Sequence, residues 1–184
     1  MQQSSVLTES NPSSIAIGSR SDGLSHKVLL DLPSCTAFAV YDQHQSVLRL
    51  YDHGDFSCRC ERVVVQRRIV ALNHYDGSNG ASIMGSCPGG LYIWQDLLSH
   101  DQGVLPYWRH VHTQSLQTCL RSHLGAVYGG SCHGPISIYN PARTQALVQT
   151  LYGHSGQVND LLVIPNQIVT GSDDRSIRLW DIAS

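Results

Sequence analysis

The chain has 184 residues and carries 12 Lys and Arg against 14 Asp and Glu, which gives a formal net charge of -2. This length is sufficient for one domain with a hydrophobic core. A near-neutral charge gives no bulk attraction to nucleic acids or acidic membranes, so neither is predicted as a partner. The longest apolar runs are far shorter than the roughly 20 residues that a membrane-spanning helix needs.

The beginning of the chain differs from the rest in composition. Residues 1–13 are rich in Gln, Ser, Thr and Asn and show no apolar period, which predicts a disordered segment ahead of one domain over 14–184. The six cysteines lack the close spacing of a disulfide scaffold, and no basic, apolar leader opens the chain. We therefore expect reduced thiols and a location in the cytoplasm, the nucleus or both.

Four aromatic residues recur at separations of 43, 45 and 41 residues: Tyr51, Trp94, Tyr139 and Trp180. Two aliphatic residues stand three places and one place before each aromatic: Leu48/Leu50, Leu91/Ile93, Ile136/Ile138 and Ile177/Leu179. This alternation predicts a β-strand in every copy. A period of about 40 to 45 residues is typical of a four-stranded propeller blade.

Further strands flank each of these predicted strands. In three copies a Gly-Ser pair and a tight turn precede the aliphatic residues, which indicates a β-hairpin. Candidate first strands lie at 28–32, 69–74, 115–121 and 157–164, and candidate outer strands at 56–64, 107–111 and 145–151. The repeat units are predicted to end near residues 52, 95, 140 and 181.

The last copy resembles the WD-repeat family, because it opens with Gly153-His154 and closes with Trp180-Asp181. The resemblance implies an all-β, WD-type β-propeller with about four four-stranded blades. Propellers of this family usually have seven blades, so an incomplete ring is expected. An incomplete ring would be a truncated product, a fragment of a longer protein or half of an assembly, and a closed four-bladed ring is the alternative.

The resemblance also implies a buried hydrogen-bonded network of His154, Asp174, Trp180 and one hydroxyl, that of Thr170 or Ser172. The indole N–H is a donor, the hydroxyl accepts and donates, and the imidazole joins the hydroxyl to the carboxylate. No nucleophile elbow or Gly-rich oxyanion loop accompanies these residues, so we expect a structural network, no catalytic residue and no enzyme activity. The earlier copies lack the equivalent Asp and are expected to depend on packing.

A metal site is the main alternative reading of the cysteines and histidines. Cys58 and Cys60 stand two residues apart, with His53 and His74 as further candidate ligands. Zinc sites usually have a second pair of closely spaced ligands, and none is present here. A packed outer strand accounts for these residues, so no metal and no cofactor are predicted.

The resemblance implies that the chain is a protein-protein interaction scaffold or adaptor with no small-molecule substrate. Aromatic and basic side chains in loops are expected to contact the partner: Tyr75, His100, Tyr107, Trp108, Arg109, His123 and Tyr152. One alternative is a substrate receptor of a ubiquitin ligase. The family members that dock to the ligase adaptor have an Arg two residues after Trp-Asp, whereas Trp180-Asp181 is followed here by Ile182-Ala183. An enzyme that uses the propeller channel and a truncated isoform without independent activity are the others.

Overall fold

The computed structural model describes residues 27–32, 37–42, 45–64, 68–77, 82–95, 97, 103–104 and 109–182. Within these ranges the chain forms strands and turns, and none of the described residues is helical. Apart from one two-residue strand, the strands make four antiparallel sheets that follow one another in chain order. The predicted all-β class is therefore confirmed. The predicted disordered segment lies outside the described residues.

The first two sheets occupy the N-terminal half of the chain. The first sheet contains β1 (Lys27–Leu32), β2 (Ala37–Asp42), β3 (Val47–Asp52) and β4 (Cys58–Val63). The second sheet begins with β5 (Ala71–His74), β6 (Ile83–Cys87) and β7 (Gly90–Trp94). The two-residue β8 (Gly103–Val104) pairs in parallel with β4 of the first sheet, and β9 (Arg109–Val111) completes the second sheet. A strand as short as β8 has no hydrophobic period and was not predicted.

The other two sheets follow the same up-and-down order. The third sheet contains β10 (Gln117–His123), β11 (Ala126–Ser131), β12 (Ile136–Tyr139) and β13 (Leu147–Leu151). The fourth sheet contains β14 (Val158–Ile164), β15 (Gln167–Ser172) and β16 (Ile177–Asp181). The first and outer strands begin and end within two residues of their predicted positions. Each of the four recurring aromatic residues lies in the third strand of its sheet, as predicted.

The sheets pack face to face in a row, as the blades of a propeller do. The first strands of neighbouring sheets contact each other, β1 with β5, β5 with β10 and β10 with β14. Among the described residues no contact of similar extent joins the first sheet to the fourth. The row therefore does not close into a ring, as the prediction of an incomplete ring requires.

One packing rule repeats at all three interfaces between sheets. The aliphatic pair of a third strand is buried against the next sheet, in the hydrophobic cluster that contains the next third-strand aromatic residue. The pairs and the aromatic residues that they meet are Leu48/Leu50 with Trp94, Leu91/Ile93 with Tyr139, and Ile136/Ile138 with Trp180. Side chains alternate along a strand, so the pair and the aromatic residue face opposite ways. Burying one such aliphatic side chain stabilises the fold by about 1.5 to 3 kcal/mol.

Hairpin length differs between the second sheet and the later sheets. The residue two places before the aromatic pairs with Gly85 in the second sheet, with Gly129 in the third and with Thr170 in the fourth. Gly85 lies nine residues before its aromatic, whereas the other two lie ten before theirs. Counting along the sequence aligns Gly85 with Gly171, but the strand pairing places it at the position of Thr170. Neighbouring residues of a strand point to opposite faces. The one-residue difference in hairpin length therefore decides which residue lies next to the indole ring.

Candidate functional site

Four side chains of the fourth sheet form a continuous hydrogen-bonded chain. The indole Nε1 of Trp180 donates to the Thr170 hydroxyl at 2.8 Å. The same hydroxyl lies 2.7 Å from Nε2 of His154, and Nδ1 of His154 lies 2.7 Å from Oδ2 of Asp174. Because the carboxylate can only accept, Nδ1 of His154 donates to it. In the tautomer with its proton on Nδ1, Nε2 accepts from the Thr170 hydroxyl, which in turn accepts from the indole. These four residues are called the His154 network below.

The Asp174 carboxylate accepts further hydrogen bonds at the end of this network. The Ser176 hydroxyl lies 2.6 Å from Oδ1, and the backbone amides of Ser176 and Ser155 donate at 2.9 and 3.1 Å. The Ser176 hydroxyl, with His154 and the two amides, holds the pKa of Asp174 well below its ordinary value. The carboxylate therefore fixes the turn between β15 and β16 to the loop that precedes β14.

Ser172, the alternative hydroxyl, lies outside the chain from Trp180 to His154. Its side chain donates to the carbonyl of Gly156 at 3.1 Å and accepts from the amide of Asp174 at 3.2 Å. Gly156 is close to the same turn, because an added Cβ there would lie 2.8 Å from the amide nitrogen of Asp174. Ser172 thus makes local contacts that shape the turn carrying Asp174.

The His154 network has little capacity for chemistry on a bound molecule. The Thr170 residue is 1% exposed and the His154 side chain is 0% exposed. The Thr170 hydroxyl is occupied as an acceptor by Trp180 and as a donor by His154. A nucleophile must reach its substrate and keep its base available, and neither condition holds here. The geometry suits a clamp that joins a loop, a strand and a turn.

The second sheet has a tryptophan at the matching place without this clamp. Trp94 is fully buried, and its indole nitrogen has no hydrogen-bond partner among the described residues. Gly85 lies under the ring, where an added Cβ would be 3.0 Å from Cζ3 of Trp94. The third sheet differs again, because the side chain of Gln117 fills the space beside Gly129.

Tyr75 was predicted to contact a partner, and the structure places it inside the fold. Tyr75 is 2% exposed and packs in the cluster between the second and third sheets. Its hydroxyl donates to the carbonyl of Gly125 at 3.3 Å. The residue follows β5 directly, so its ring points into the interface between sheets and not out of the loop. His100, Tyr107 and Trp108 lie outside the described residues.

The other predicted contact residues lie at two different ends of the sheets. Arg109 begins β9 and His123 ends β10, and the strand directions place both at the same end. Arg109 donates to the carbonyl of Arg143 at 2.7 Å. Tyr152, which is 73% exposed, follows β13 and therefore lies at the opposite end. These residues consequently do not form one surface.

Leu124 is an exposed residue that the sequence reasoning missed. It lies between β10 and β11 with 87% of its surface exposed and with a φ of 51°. The carboxylate of Asp76 accepts from the amides of Leu124 and Gly125 at 2.9 and 3.1 Å, which fixes the turn to the neighbouring sheet. The dipeptide Leu124-Gly125 between two strands is a hairpin pattern that could have identified this residue.

Among the residues described, no group of three or more His, Cys, Asp or Glu side chains is placed to hold a metal ion. Cys60, one of the candidate ligands, donates its thiol to the carbonyl of Leu97 at 3.3 Å. The described part of the chain contains no helix long and apolar enough to cross a membrane.

Comparisons with known proteins agree with this fold. The family model "WD domain, G-beta repeat" matches residues 145–181. The nuclear distribution protein PAC1 of Candida tropicalis is 28% identical over 130 residues, which are 68% of this chain and 25% of that protein. The WD repeat-containing protein pop1 of Schizosaccharomyces pombe is 32% identical over 72 residues, 39% of this chain and 9% of that protein. The chain thus spans a quarter or less of the curated relatives that it matches.

A solved structure extends the likeness to nearly the whole chain. The crystal structure of the computationally designed Ika4 protein superposes with a TM-score of 0.66 and 18% identity, covering 90% of this chain and 96% of that one. At this identity the likeness concerns the fold alone. The repeat match, the two relatives and the row of four sheets lead to one conclusion: the chain has the fold of a WD-type β-propeller and is similar to WD-repeat proteins, with a WD repeat matched at residues 145–181.

Proposed function

We propose that the chain is a scaffold or adaptor that binds other proteins at the sheet end marked by Leu124. WD-repeat proteins generally mediate interactions between proteins, and the row of sheets provides a rigid support for its loops. The observation that carries the proposal is the exposure of a large apolar side chain, 87% for Leu124, on a turn that is fixed in place.

The fixed backbone of this turn supports a binding role. A leucine with φ of 51° adopts a left-handed conformation that Gly and Asn tolerate better, and this costs about 1 kcal/mol. Asp76 and the Tyr75 hydroxyl hold both residues of the turn from the neighbouring sheet. The backbone of the turn is therefore fixed before a partner arrives, which lowers the backbone entropy lost on binding.

A polar residue adjoins this anchor in the hairpin. His123 precedes Leu124 and is half-buried, while Arg109 lies at the same end of the sheets but in the outer strand of the second sheet. An apolar anchor next to a polar residue suits an apolar partner residue with polar groups around it. We assign the interaction to this end and not to the opposite end, where Tyr152 lies.

The proposal includes no catalytic role for the chain and a location in the cytoplasm or nucleus. The buried His154 network supports the first inference. The second is supported by the five described cysteines, none of which forms a disulfide, and by the name of the relative PAC1, a nuclear distribution protein. No described feature favours a ubiquitin-ligase receptor: Asp181 is followed by Ile182, which packs against the third core cluster.

The test is quantitative affinity purification of the full chain with Leu124→Asn. Asparagine tolerates a positive φ, so this variant should keep its unfolding midpoint while losing the apolar anchor. We expect the proteins recovered by the wild type to fall about tenfold or more, the loss typical of an interface anchor. Val148→Asn, on the 51% exposed Val148 of β13, is the matched control and should change nothing.

Two results would contradict the proposal. One is an unchanged set of recovered proteins with Leu124→Asn while its fold is intact by circular dichroism. The other is loss of those proteins with Tyr152→Ala only, which would place the partner at the opposite end of the sheets.

A further inference from the structure

Two histidines stand two places apart at the end of β9, the outer strand of the second sheet. His110 lies within β9 and is half-buried, and His112 follows the strand and is exposed. Residues two places apart in an extended chain point to the same side, so both imidazoles lie over one face. Their ring centres are 4.5 Å apart, and their planes are inclined at 60°. These two side chains are called the histidine pair below.

Three features of β7 and its turn fix the orientation of the His110 ring. The ring stacks on that of Tyr92, its partner residue across the two strands, at 4.3 Å between centres and 14° between planes. Its Nε2 lies 3.3 Å from the carbonyl oxygen of Gly89. Gly90 leaves room for this approach, because a Cβ there would collide with Nε2. The imidazole is thus held in one place, as a preorganised metal ligand must be.

The carbonyl of Gly89 also selects the tautomer of His110. A carbonyl oxygen only accepts, so Nε2 donates to it and carries the proton. In the neutral ring the lone pair then lies on Nδ1, which is the nitrogen that can bind a metal ion. A backbone carbonyl that accepts from the other ring nitrogen usually accompanies a metal-binding histidine, because it orients the ring and raises its basicity.

The spacing of the two rings matches that of two imidazoles on one metal ion. A zinc-nitrogen bond of about 2.0 to 2.1 Å puts each ring centre about 3.2 Å from the metal. Two such rings that meet the metal at about 90 to 110° have centres about 4.5 to 5.2 Å apart. The observed 4.5 Å lies at the lower limit of this range. Because His112 is exposed, water can reach the remaining positions around the metal.

We propose that the histidine pair binds a divalent transition-metal ion, Zn²⁺ or Cu²⁺, with water as the other ligands. Neutral imidazole is a preferred ligand of both ions. The described residues contain no cluster of three or more candidate ligands, so the affinity should be well below that of a structural zinc site with four protein ligands. The pair lies in a different sheet from Cys58 and Cys60 of β4.

The first test is calorimetric titration of the full chain with Zn²⁺. We expect one site that His110→Gln and His112→Gln each weaken about tenfold or more, since each removes one of two protein ligands. Because His112 is exposed, its variant should keep the circular dichroism of the wild type. The control His123→Gln changes a half-buried histidine at the opposite end of the sheets and should bind Zn²⁺ as the wild type does.

The second test identifies the ligand atoms by electron paramagnetic resonance of the chain with one equivalent of Cu²⁺. The wild type should show couplings to two imidazole nitrogens, and each single His→Gln variant should lose them. A wild type that binds neither ion would overturn the proposal, as would two His→Gln variants that bind as the wild type does. Loss of binding in Cys58→Ser, at an exposed thiol, would also overturn it, because the cysteines and not the histidine pair would then hold the ion.

Discussion

The second and fourth sheets hold a tryptophan at the same place in the repeat by different means. In the fourth sheet the indole of Trp180 donates to Thr170, and the hydrogen bonds continue through His154 to Asp174. In the second sheet Trp94 is fully buried over Gly85, and its indole nitrogen has no partner. One repeat pattern is thus compatible with a polar clamp and with a purely packed core.

Hairpin length accounts for much of this difference. The shorter hairpin of the second sheet moves β6 by one residue against β7, so Gly85 occupies the place of Thr170. A glycine offers no hydroxyl, but it allows the ring to approach the backbone closely. The unpaired indole N–H is a cost of this arrangement, of about 1 to 3 kcal/mol for a buried donor, and the packing of the first core cluster offsets it.

Among the substitutions that test this difference, Thr170→Val is expected to change the free energy of unfolding most. It keeps the shape of the side chain and removes the hydroxyl. Trp180 and His154 would each lose a partner inside the protein, so we expect the free energy of unfolding to fall by about 2 kcal/mol. Urea denaturation followed by circular dichroism measures the change. Thr150→Val, the same change at a half-buried position of β13, should alter stability by less than about 0.5 kcal/mol. Equal effects at the two threonines would mean that the clamp contributes nothing.

A smaller effect is expected from a matched pair of glycine substitutions. In Gly85→Ala the new Cβ would lie 3.0 Å from Cζ3 of Trp94 and 3.3 Å from Cγ2 of Ile69, so we expect a loss of about 1 to 2 kcal/mol. In Gly171→Ala the new Cβ meets no atom within 4 Å, so stability should stay the same or rise by about 0.5 kcal/mol. Thermal unfolding of both variants checks this. If Gly171→Ala destabilises the protein more than Gly85→Ala does, then Gly85 is equivalent to Gly171, as the distance to the aromatic residue suggests, and not to Thr170, as the strand pairing suggests.

The sequence predicted the repeated units of this fold, because each third strand carries its own alternation and its own aromatic residue. It could not predict that Gly85 replaces Thr170, since a hairpin shorter by one residue is visible only in the strand pairing. The burial of Tyr75 could not be predicted for a related reason: whether a residue next to a strand end points outward depends on the neighbouring sheet, here on Gly125. Leu124 was overlooked because an apolar residue in a short turn resembles an ordinary strand residue.

The smallest effect expected is the pH dependence of stability that Asp174 contributes. It is also the effect most specific to the fourth sheet. Hydrogen bonds from Ser176, His154 and the amide of Ser155 lower the pKa of Asp174 in the folded protein, whereas the unfolded value is about 3.9. A group with a lowered folded pKa stabilises the fold above its unfolded pKa, and this contribution is lost as the pH falls below about 4. The stability difference between the wild type and Asp174→Asn should therefore be constant near neutral pH and shrink in acid.

Urea midpoints of the two proteins, measured across this range, test the expectation. Asp52 and Asp55 also have lowered pKa values, the first through the amide of Gly54 and the second through Ser57. Both are present in the wild type and in the variant, so their contributions cancel in the difference. A difference that stays constant in acid would show that the Asp174 carboxylate contributes no more in the folded chain than in the unfolded one. The second sheet has Pro88 in its turn and no such carboxylate, so Pro88→Ala should leave the acid dependence as it is in the wild type.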